Sequence, residues 1–154
     1  MGYEISLKLA WNELDRLGLE DCTVPFLGED HLIRRGERAV LRPGGQPAGE
    51  MEAVLILDYL IGTARSGFSP SGSWISFKEA PAGVTFRRME GGDMALEVEA
   101  LPGIMVRVIF WEGDEELPPE AVMLFDRALT GVYCTEDVAV LLMAVAQKLM
   151  DAGK

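Results

Sequence analysis

Residues 94–112, with the sequence MALEVEALPGIMVRVIFWE, decide the fold because they contain two adjacent strand patterns. Over residues 96–100 apolar residues alternate with glutamates, which is the period of a strand with one buried face. Residues 103–111 are apolar apart from Arg107, a pattern typical of a central strand. Because Pro102-Gly103 favours a turn between them, the stretch predicts an antiparallel hairpin at the heart of a sheet.

The single charge in the second strand, Arg107, bears on the register of this hairpin. A two-residue turn between regular strands places Arg107 opposite Val98, whereas a shift by one residue places it opposite Glu97 or Glu99. Opposite charges on facing residues stabilise a strand pair, so we predict an odd-length connection. Arg107 is then part of an ion pair on the sheet surface and not a catalytic residue.

Helical patterns lie on both sides of this hairpin. An apolar stripe at helical spacing predicts a first helix over about residues 4–17. A second helix, from about Glu50 to Ile61 with Gly62 as its end, is apolar nearly all round, which predicts a buried, central position. The last helix is expected over about residues 135–151 because Thr135 is a good N-cap.

Short strands are expected between and after these helices. The candidates are Val24–Leu27, Leu32–Arg35, Arg38–Leu41, Trp74–Phe77 and Ala121–Phe125. Strands and helices do not alternate regularly, which argues against a doubly wound parallel sheet. We therefore predict an α+β fold, in which a mainly antiparallel sheet packs against two or three helices, as one domain over residues 1–154.

The composition narrows the classes of function. The formal net charge is −11, and such an acidic field repels phosphate backbones and anionic lipid, so neither nucleic acid nor a membrane is expected as a partner. No secretory signal and no apolar stretch of about 20 residues is present, which predicts a cytoplasmic protein. Two cysteines cannot supply an iron–sulfur cluster, and no other cofactor is expected.

No catalytic constellation is recognisable. His31 is the single histidine, so a serine or cysteine triad would have to use it, and we interpret it as a surface or turn histidine. The loop between Gly44 and Gly49 has phosphate-loop spacing, but Glu50-Met51 follow where lysine and a hydroxyl residue are required. The sequence therefore argues against an enzyme and predicts no metal site.

Three groups of residues are nevertheless candidates for binding. A ligand site is predicted where an aromatic floor meets acids and a hydroxyl, at Trp74, Ser76, Trp111, Asp114, Glu116 and Asp126. The acidic loop is read either as a cation site or as a solvated surface, and Asp126 alternatively as a cap for the next turn. A basic hairpin formed by Arg34, Arg35, Arg38 and Arg42 suggests an anion or partner patch, or pairing with the protein's own acids.

The third candidate is the last helix, which is apolar over more than one face. Beside its core stripe runs a second stripe of small and flexible residues, Ala139, Met143, Ala146 and Met150. Either the helix is covered on two sides, or this stripe contacts a partner protein or a second copy of the chain.

Asp58 is an acid within the apolar second helix. It is either a pocket carboxylate with a raised pKa or a satisfied side chain at a gap in the packing.

Several motifs in order resemble a known family. They are Leu57-Asp58-Tyr59-Leu60, Trp74-Ile75-Ser76-Phe77-Lys78-Glu79, Leu101-Pro102, Trp111-Glu112-Gly113-Asp114-Glu115-Glu116-Leu117-Pro118, Leu124-Phe125-Asp126 and Tyr133-Cys134-Thr135-Glu136-Asp137. Over about residues 50–150 the chain resembles the family named domain of unknown function 3786, some members of which carry a separate iron–sulfur domain. The resemblance implies the cytoplasm of an anaerobe and redox or one-carbon metabolism, but no reaction.

These observations leave three functional hypotheses. The first is a non-catalytic binding or accessory module that serves a metalloenzyme or corrinoid system. The second is a small enzyme or a ligand- or metal-binding protein with its site near the tryptophan–acid motif. In the third, the protein is purely structural or oligomeric, and the tryptophan motifs are turns that define the fold.

Overall fold

The computed structural model describes residues 2–76 and 94–152, to which all structural statements refer. Its helices are α1 (Glu4–Leu17), α2 (Glu50–Ser66) and α3 (Thr135–Ala152), with a short 3₁₀ helix over Arg127–Gly131. Its strands are β1 (Cys22–Phe26), β2 (Glu29–Arg34), β3 (Ala39–Leu41), β4 (Trp74–Ser76), β5 (Met94–Leu101), β6 (Ile104–Trp111) and β7 (Glu120–Asp126). Phe77, predicted to continue β4, lies outside the described residues.

The strands form two antiparallel sheets, so the predicted α+β class is confirmed but the sheet is divided. The first sheet has the order β1-β2-β3, and the second has the order β4-β7-β6-β5. Strand β6 lies inside the second sheet, between β5 and β7, as its apolar sequence predicted. Helix α2 is buried along most of its length, and α1 and α3 pack against it, so the helices share one core with both sheets.

The hairpin of β5 and β6 has the predicted charge pairing but reaches it by another route. Its turn has two residues, since Leu101 pairs with Ile104, and the prediction of an odd-length connection is wrong. A β-bulge between Glu99 and Leu101 supplies the extra residue and brings Arg107 opposite Glu97. The Arg107 Nη2 atom lies 3.4 Å from the Glu97 Oε2 atom, which confirms the surface ion pair.

The bulge also joins the two sheets. The carbonyl oxygen of Ala100, in the bulge, accepts a hydrogen bond of 2.9 Å from the backbone N–H of Leu27 in the β1–β2 turn. On the other side of the hairpin, the Tyr59 hydroxyl of α2 donates to the carbonyl oxygen of Pro102 at 2.9 Å. The hairpin that decides the fold is therefore held by both its neighbours.

The predicted end of α2 at Gly62 is wrong, because the helix continues to Ser66 and Gly67 follows it. Gly62 is buried in the interior of the helix, where α2 passes the chain just after the 3₁₀ helix. A Cβ atom at position 62 would lie 2.5 Å from the Val132 carbonyl oxygen and 2.9 Å from the Val132 Cα atom. Glycine is therefore required here by close packing and not by a helix terminus.

We expect Gly62→Ala to lower the free energy of unfolding by about 2 kcal/mol. Backbone atoms of Val132 cannot rotate away, so the two segments must separate, which outweighs the higher helix propensity of alanine. Urea denaturation measures the change. Gly36→Ala is the matched control because nothing lies near a Cβ atom there. A Gly62→Ala protein as stable as the parent would contradict this packing.

Among the described helices, none combines the length and apolar character that crossing a membrane requires.

Candidate functional site

An open groove lies between three segments: the β1–β2 turn, the first turns of α2 and the C-terminal half of α3. Its volume is about 390 Å³. The apolar part of its lining consists of Phe26, Leu27, Met51, Leu55, Met143 and Ala144. Phe26 and Leu55 belong to the buried core, whereas Met51 and Met143 are 36% and 59% exposed. This groove, called the α3 groove below, is therefore an apolar surface open to solvent.

The β1–β2 turn places Leu27 in the α3 groove against local backbone preference. Leu27 has a φ of +51° and Gly28 a φ of +83°, so the turn has two successive left-handed residues. Asparagine or glycine is favoured in such a turn, and the left-handed conformation costs another residue about 1 kcal/mol. An apolar side chain thus lines the groove at a position where the backbone alone would select a polar residue or glycine.

Charged side chains surround the α3 groove and tie its walls together. The Lys148 Nζ atom of α3 lies 3.2 Å from the Glu29 Oε2 atom at the start of β2. The Arg42 Nη2 atom lies 2.7 Å from the Glu52 Oε1 atom in the first turn of α2. Together with Asp151, the rim carries three carboxylates and two cations, a formal balance of −1.

A buried polar network connects this rim to the core. The His31 Nε2 atom lies 2.8 Å from the Glu52 Oε2 atom, and the His31 Nδ1 atom lies 2.8 Å from the Glu29 carbonyl oxygen. Burial alone would raise the pKa of Glu52, but hydrogen bonds from Arg42, His31 and the Gly49 N–H outweigh it and lower that pKa. Both ring nitrogens of His31 thus have an oxygen partner inside the protein, as a buried polar ring requires.

The interpretation of His31 as a surface or turn residue is therefore wrong. The side chain is fully buried in β2, and its ring packs edge-on against the ring of Phe26, with 5.8 Å between the centroids. The alternation of β2 contains a signal for this, since His31 lies two residues before the buried Ile33 and so shares its face. Its partner Glu52 is distant in the sequence, and no local pattern indicates the contact.

The predicted interface stripe of α3 lies on more than one surface. Met143 lines the α3 groove, and Met150, near the end of the helix, is 59% exposed. Ala146 is half-buried. Ala139 lines a second cavity, at the start of α3. The role of this stripe as an interface stays a prediction.

The residues of the predicted tryptophan–acid site fall into two groups at opposite ends of β7. Trp74 pairs directly with Asp126 at the C-terminal end of β7, and Ser76 pairs with Leu124 two residues away. Trp111 pairs with Glu120 at the N-terminal end, and the loop carrying Asp114 and Glu116 follows Trp111. The strand between the two ends is about 20 Å long, so the six residues are not brought together.

The acids of these two groups act on neighbouring backbone. The carboxylate of Asp126, a buried residue, accepts hydrogen bonds from the N–H groups of Ser71, Gly72 and Ala128 and from the Ser71 hydroxyl. Burial alone would raise the pKa of Asp126, but these hydrogen bonds outweigh burial and lower that pKa. Asp126 therefore caps the 3₁₀ helix, as the alternative interpretation of this residue predicted.

The acidic loop after β6 contains a tight turn built by its own residues. The Asp114 carboxylate accepts hydrogen bonds from the N–H groups of Glu116 and Leu117, which lower its pKa. A Cβ atom at Gly113 would lie 2.5 Å from the nitrogen of Pro119, so only glycine fits there. Asp114 and Gly113 of the tryptophan–acid motif thus shape the turn after β6.

Each arginine of the predicted basic patch has a carboxylate partner at 2.7–3.6 Å. These partners are Glu37 for Arg34, Asp15 for Arg35 and Arg38, and Glu52 for Arg42. In the second sheet, the guanidinium of Arg107 on β6 lies 4.2 Å from the centroid of the Trp74 ring on β4. The hairpin arginines are therefore paired with the protein's own acids, as the second interpretation of this cluster predicted.

Asp58 of α2 has the raised pKa that one reading of the sequence predicted. Its pKa rises from 3.8 to about 8, chiefly because of burial and then because of a hydrogen bond with the Asp137 carboxyl of α3 and the negative charge of Asp137. Both residues line a cavity of about 340 Å³ at the start of α3. In residues 2–76 and 94–152, no group of three or more His, Cys, Asp or Glu side chains has the arrangement of a metal site.

Comparisons with known proteins give one match. The model of a family described as a domain of unknown function (DUF3786) matches residues 13–90 and 86–148 of the chain. These ranges run from the second half of α1 into the last turns of α3. No curated protein and no solved structure gives a significant match.

Proposed function

Since the chain belongs to the DUF3786 family, whose description names no function, we propose from its geometry that it is a non-catalytic binding module. The α3 groove is the proposed binding site, and its proposed occupant is a basic amphipathic segment of a partner protein. The observation that carries this proposal is the apolar lining of the groove, where Met51 and Met143 remain open to solvent. Contiguous exposed apolar surface of this kind is typical of interaction sites.

The residues that form the α3 groove suit the binding of an apolar helix face. Methionine side chains are flexible and polarisable, so they adapt to partners of different shape. Residues 138–147 of α3 contain no charged residue, although charged residues make up 25% of the chain. Leu27 adds a further apolar contact from a strained turn. A partner that covers these side chains would remove their exposed apolar area from water.

Electrostatics favour a basic partner over a second copy of the chain. The formal charge is −11, so two copies repel each other while a cationic segment is attracted. At the rim of the groove Glu29 and Glu52 are paired with Lys148 and Arg42, so with Asp151 the rim adds a formal charge of −1. The attraction of basic residues that flank the apolar face of a partner helix therefore comes mainly from the acidic surface as a whole, with a small contribution from the rim.

A binding role is better supported than a catalytic one. His31 is fully buried, and both its ring nitrogens are occupied by acceptors, so it is not placed to move a proton for a substrate. The acids Asp114 and Asp126 of the tryptophan–acid site bond to backbone N–H groups. The metabolic setting implied by the family resemblance, redox or one-carbon metabolism in an anaerobe, is part of this proposal.

We expect Met143→Lys to weaken binding of a synthetic leucine/lysine amphipathic helical peptide by about tenfold or more, equivalent to about 1.4 kcal/mol. The substituted ammonium group would lie in the apolar groove and would repel the basic peptide. Isothermal titration calorimetry measures the affinity. Met94→Lys is the matched control, since Met94 is 56% exposed on β5, outside the groove lining, and the change in charge is identical.

Three outcomes would overturn the proposal. Equal weakening by Met94→Lys would show attraction to the acidic surface as a whole, without a groove. Equal binding of a leucine/glutamate peptide of the same pattern would remove the argument from charge. Sedimentation velocity that shows a dimer of the parent and a monomer of Met143→Lys would make a second copy the occupant. Circular dichroism confirms that each variant is folded.

A further inference from the structure

The contact between α2 and α3 contains two acids that touch each other. The carboxyl groups of Asp58 and of Asp137, in the first turn of α3, lie in one cavity within hydrogen-bonding reach of each other. Carboxylate oxygens only accept hydrogen bonds, so this contact exists only while one proton lies between the two groups. Both side chains line the cavity at the start of α3, together with Tyr3 and Ser6 of the N-terminal segment. Solvent therefore has a route to the shared proton.

The groups around this pair do not replace the proton with a cation. The other ionisable groups that line the cavity are Tyr3 near the start of α1, Cys134 before α3 and Glu136 of α3. Arg65 of α2 acts on Asp58, and both acids, together with Tyr59 of α2, act on the buried Tyr133 hydroxyl. Arg65 is the cation that acts on Asp58, and its guanidinium is already paired with Glu13. The Tyr133 hydroxyl donates to the Leu55 carbonyl oxygen and so is not available to the carboxyl groups.

We propose that the Asp58–Asp137 pair is a proton-dependent latch that holds the first turns of α3 against α2. When the proton leaves to solvent, two negative charges face each other across the helix interface and repel. The start of α3 then separates from α2. Because α3 also forms one wall of the α3 groove, the latch and the groove belong to the same helix. The latch is a proposal about the stability of α3 and goes beyond the proposed function. Only an effect of the latch on peptide binding would rest on the proposed function, so the latch is tested without any peptide.

The direction of the pH dependence follows from the raised pKa of Asp58. Its value is about 8 in the folded chain and 3.8 for the ordinary group, so the folded state keeps a proton that the unfolded state releases between these limits. The stabilising contribution is therefore full below about pH 4, falls as the pH rises, and is lost at about pH 8. Above that range the pair is ionised and no further loss is expected.

Asp58→Asn tests the latch because an amide donates to Asp137 without titrating. We expect the parent and the variant to have similar melting temperatures at about pH 4, and the parent to melt at lower temperature at about pH 9. Hydrogen exchange in residues 135–142, compared at the same pH, should be faster in the parent only under the alkaline condition. Asp137→Asn removes the same pair from the other helix, and Asp30→Asn, at an exposed residue of β2, is the matched control.

Parallel melting profiles of the parent and Asp58→Asn over this range would overturn the latch. So would a carboxyl carbon titration of Asp58 by NMR with its midpoint below about pH 5. If Asp58→Asn does not fold, the NMR titration of the parent protein decides alone. Failure of the peptide experiment leaves these results unchanged, which keeps the two proposals distinguishable.

Discussion

Glu52→Ala is expected to lower the free energy of unfolding by about 3 kcal/mol, as measured by urea denaturation. The Glu52 carboxylate accepts hydrogen bonds from the Arg42 guanidinium and the Gly49 N–H, and it is paired with the buried His31 ring. Removing it leaves an imidazole nitrogen in the core without its partner, which is more costly than losing an exposed ion pair. The effect therefore measures the network beneath the α3 groove.

Two comparisons isolate the network from the loss of a charge. Glu50→Ala removes a neighbouring exposed glutamate from the same helix turn and is expected to change stability by less than about 0.5 kcal/mol. Because His31 and Glu52 are in direct contact, their replacements should not be additive. The double variant His31→Phe/Glu52→Leu should lose less stability than the sum of the losses in the single variants His31→Phe and Glu52→Leu. Additive effects, or a Glu52→Ala protein as stable as Glu50→Ala, would contradict the network.

Asp126→Ala is expected to destabilise the chain by a similar amount, about 3 kcal/mol. Its carboxylate caps the 3₁₀ helix through the Ala128 N–H and holds the loop before β4 through Ser71 and Gly72. Without it the N–H groups of Ser71, Gly72 and Ala128 lose an acceptor that belongs to a buried residue. Urea denaturation measures the loss, and Asp126→Asn, which keeps one acceptor oxygen, should cost less.

The pH dependence of this second effect has the opposite sign to that of the latch. The folded pKa of Asp126 lies below its ordinary value of 3.8, because the backbone N–H groups outweigh the effect of burial. Its contribution to stability is thus present above about pH 4 and is lost as the pH falls through the folded pKa. The difference in stability between the parent and Asp126→Ala should shrink in acid. A constant difference would mean that the carboxylate charge is not what the N–H groups require.

Local patterns in the sequence predicted much of the fold. The apolar stripes of α1 and α3 and the Gly18 cap of α1 predicted both helices to within a residue of their ends, although Thr135, predicted as the N-cap of α3, is its first helical residue. The apolar run of β6 predicted its central place. An ion pair between Arg107 and either Glu97 or Glu99 was also predicted, because cross-strand pairing of charges depends on register, and Glu97 is the partner. The bulge at Ala100 was not, since it depends on how β5 meets the β1–β2 turn.

Features that depend on packing between distant segments were not predictable in this way. A glycine after an apolar helical run usually marks the end of a helix, but Gly62 lies inside α2. Glycine is required there because the chain at Val132 passes too close for a side chain. His31 is buried because Glu52 and the Glu29 carbonyl satisfy its ring, and no spacing rule joins these residues. The α3 groove was missed apart from Met143, because its lining comes from the β1–β2 turn, α2 and α3 together.

The most direct test of the proposed binding site is methyl NMR of methionine-labelled protein during titration with the leucine/lysine peptide. Signals are assigned from single methionine substitutions. If the α3 groove binds the peptide, the methyl signals of Met51 and Met143 shift together and saturate, while that of Met94, on β5, stays in place. Unchanged signals of Met51 and Met143 at saturating peptide, or an equal shift of Met94, would contradict the proposed function.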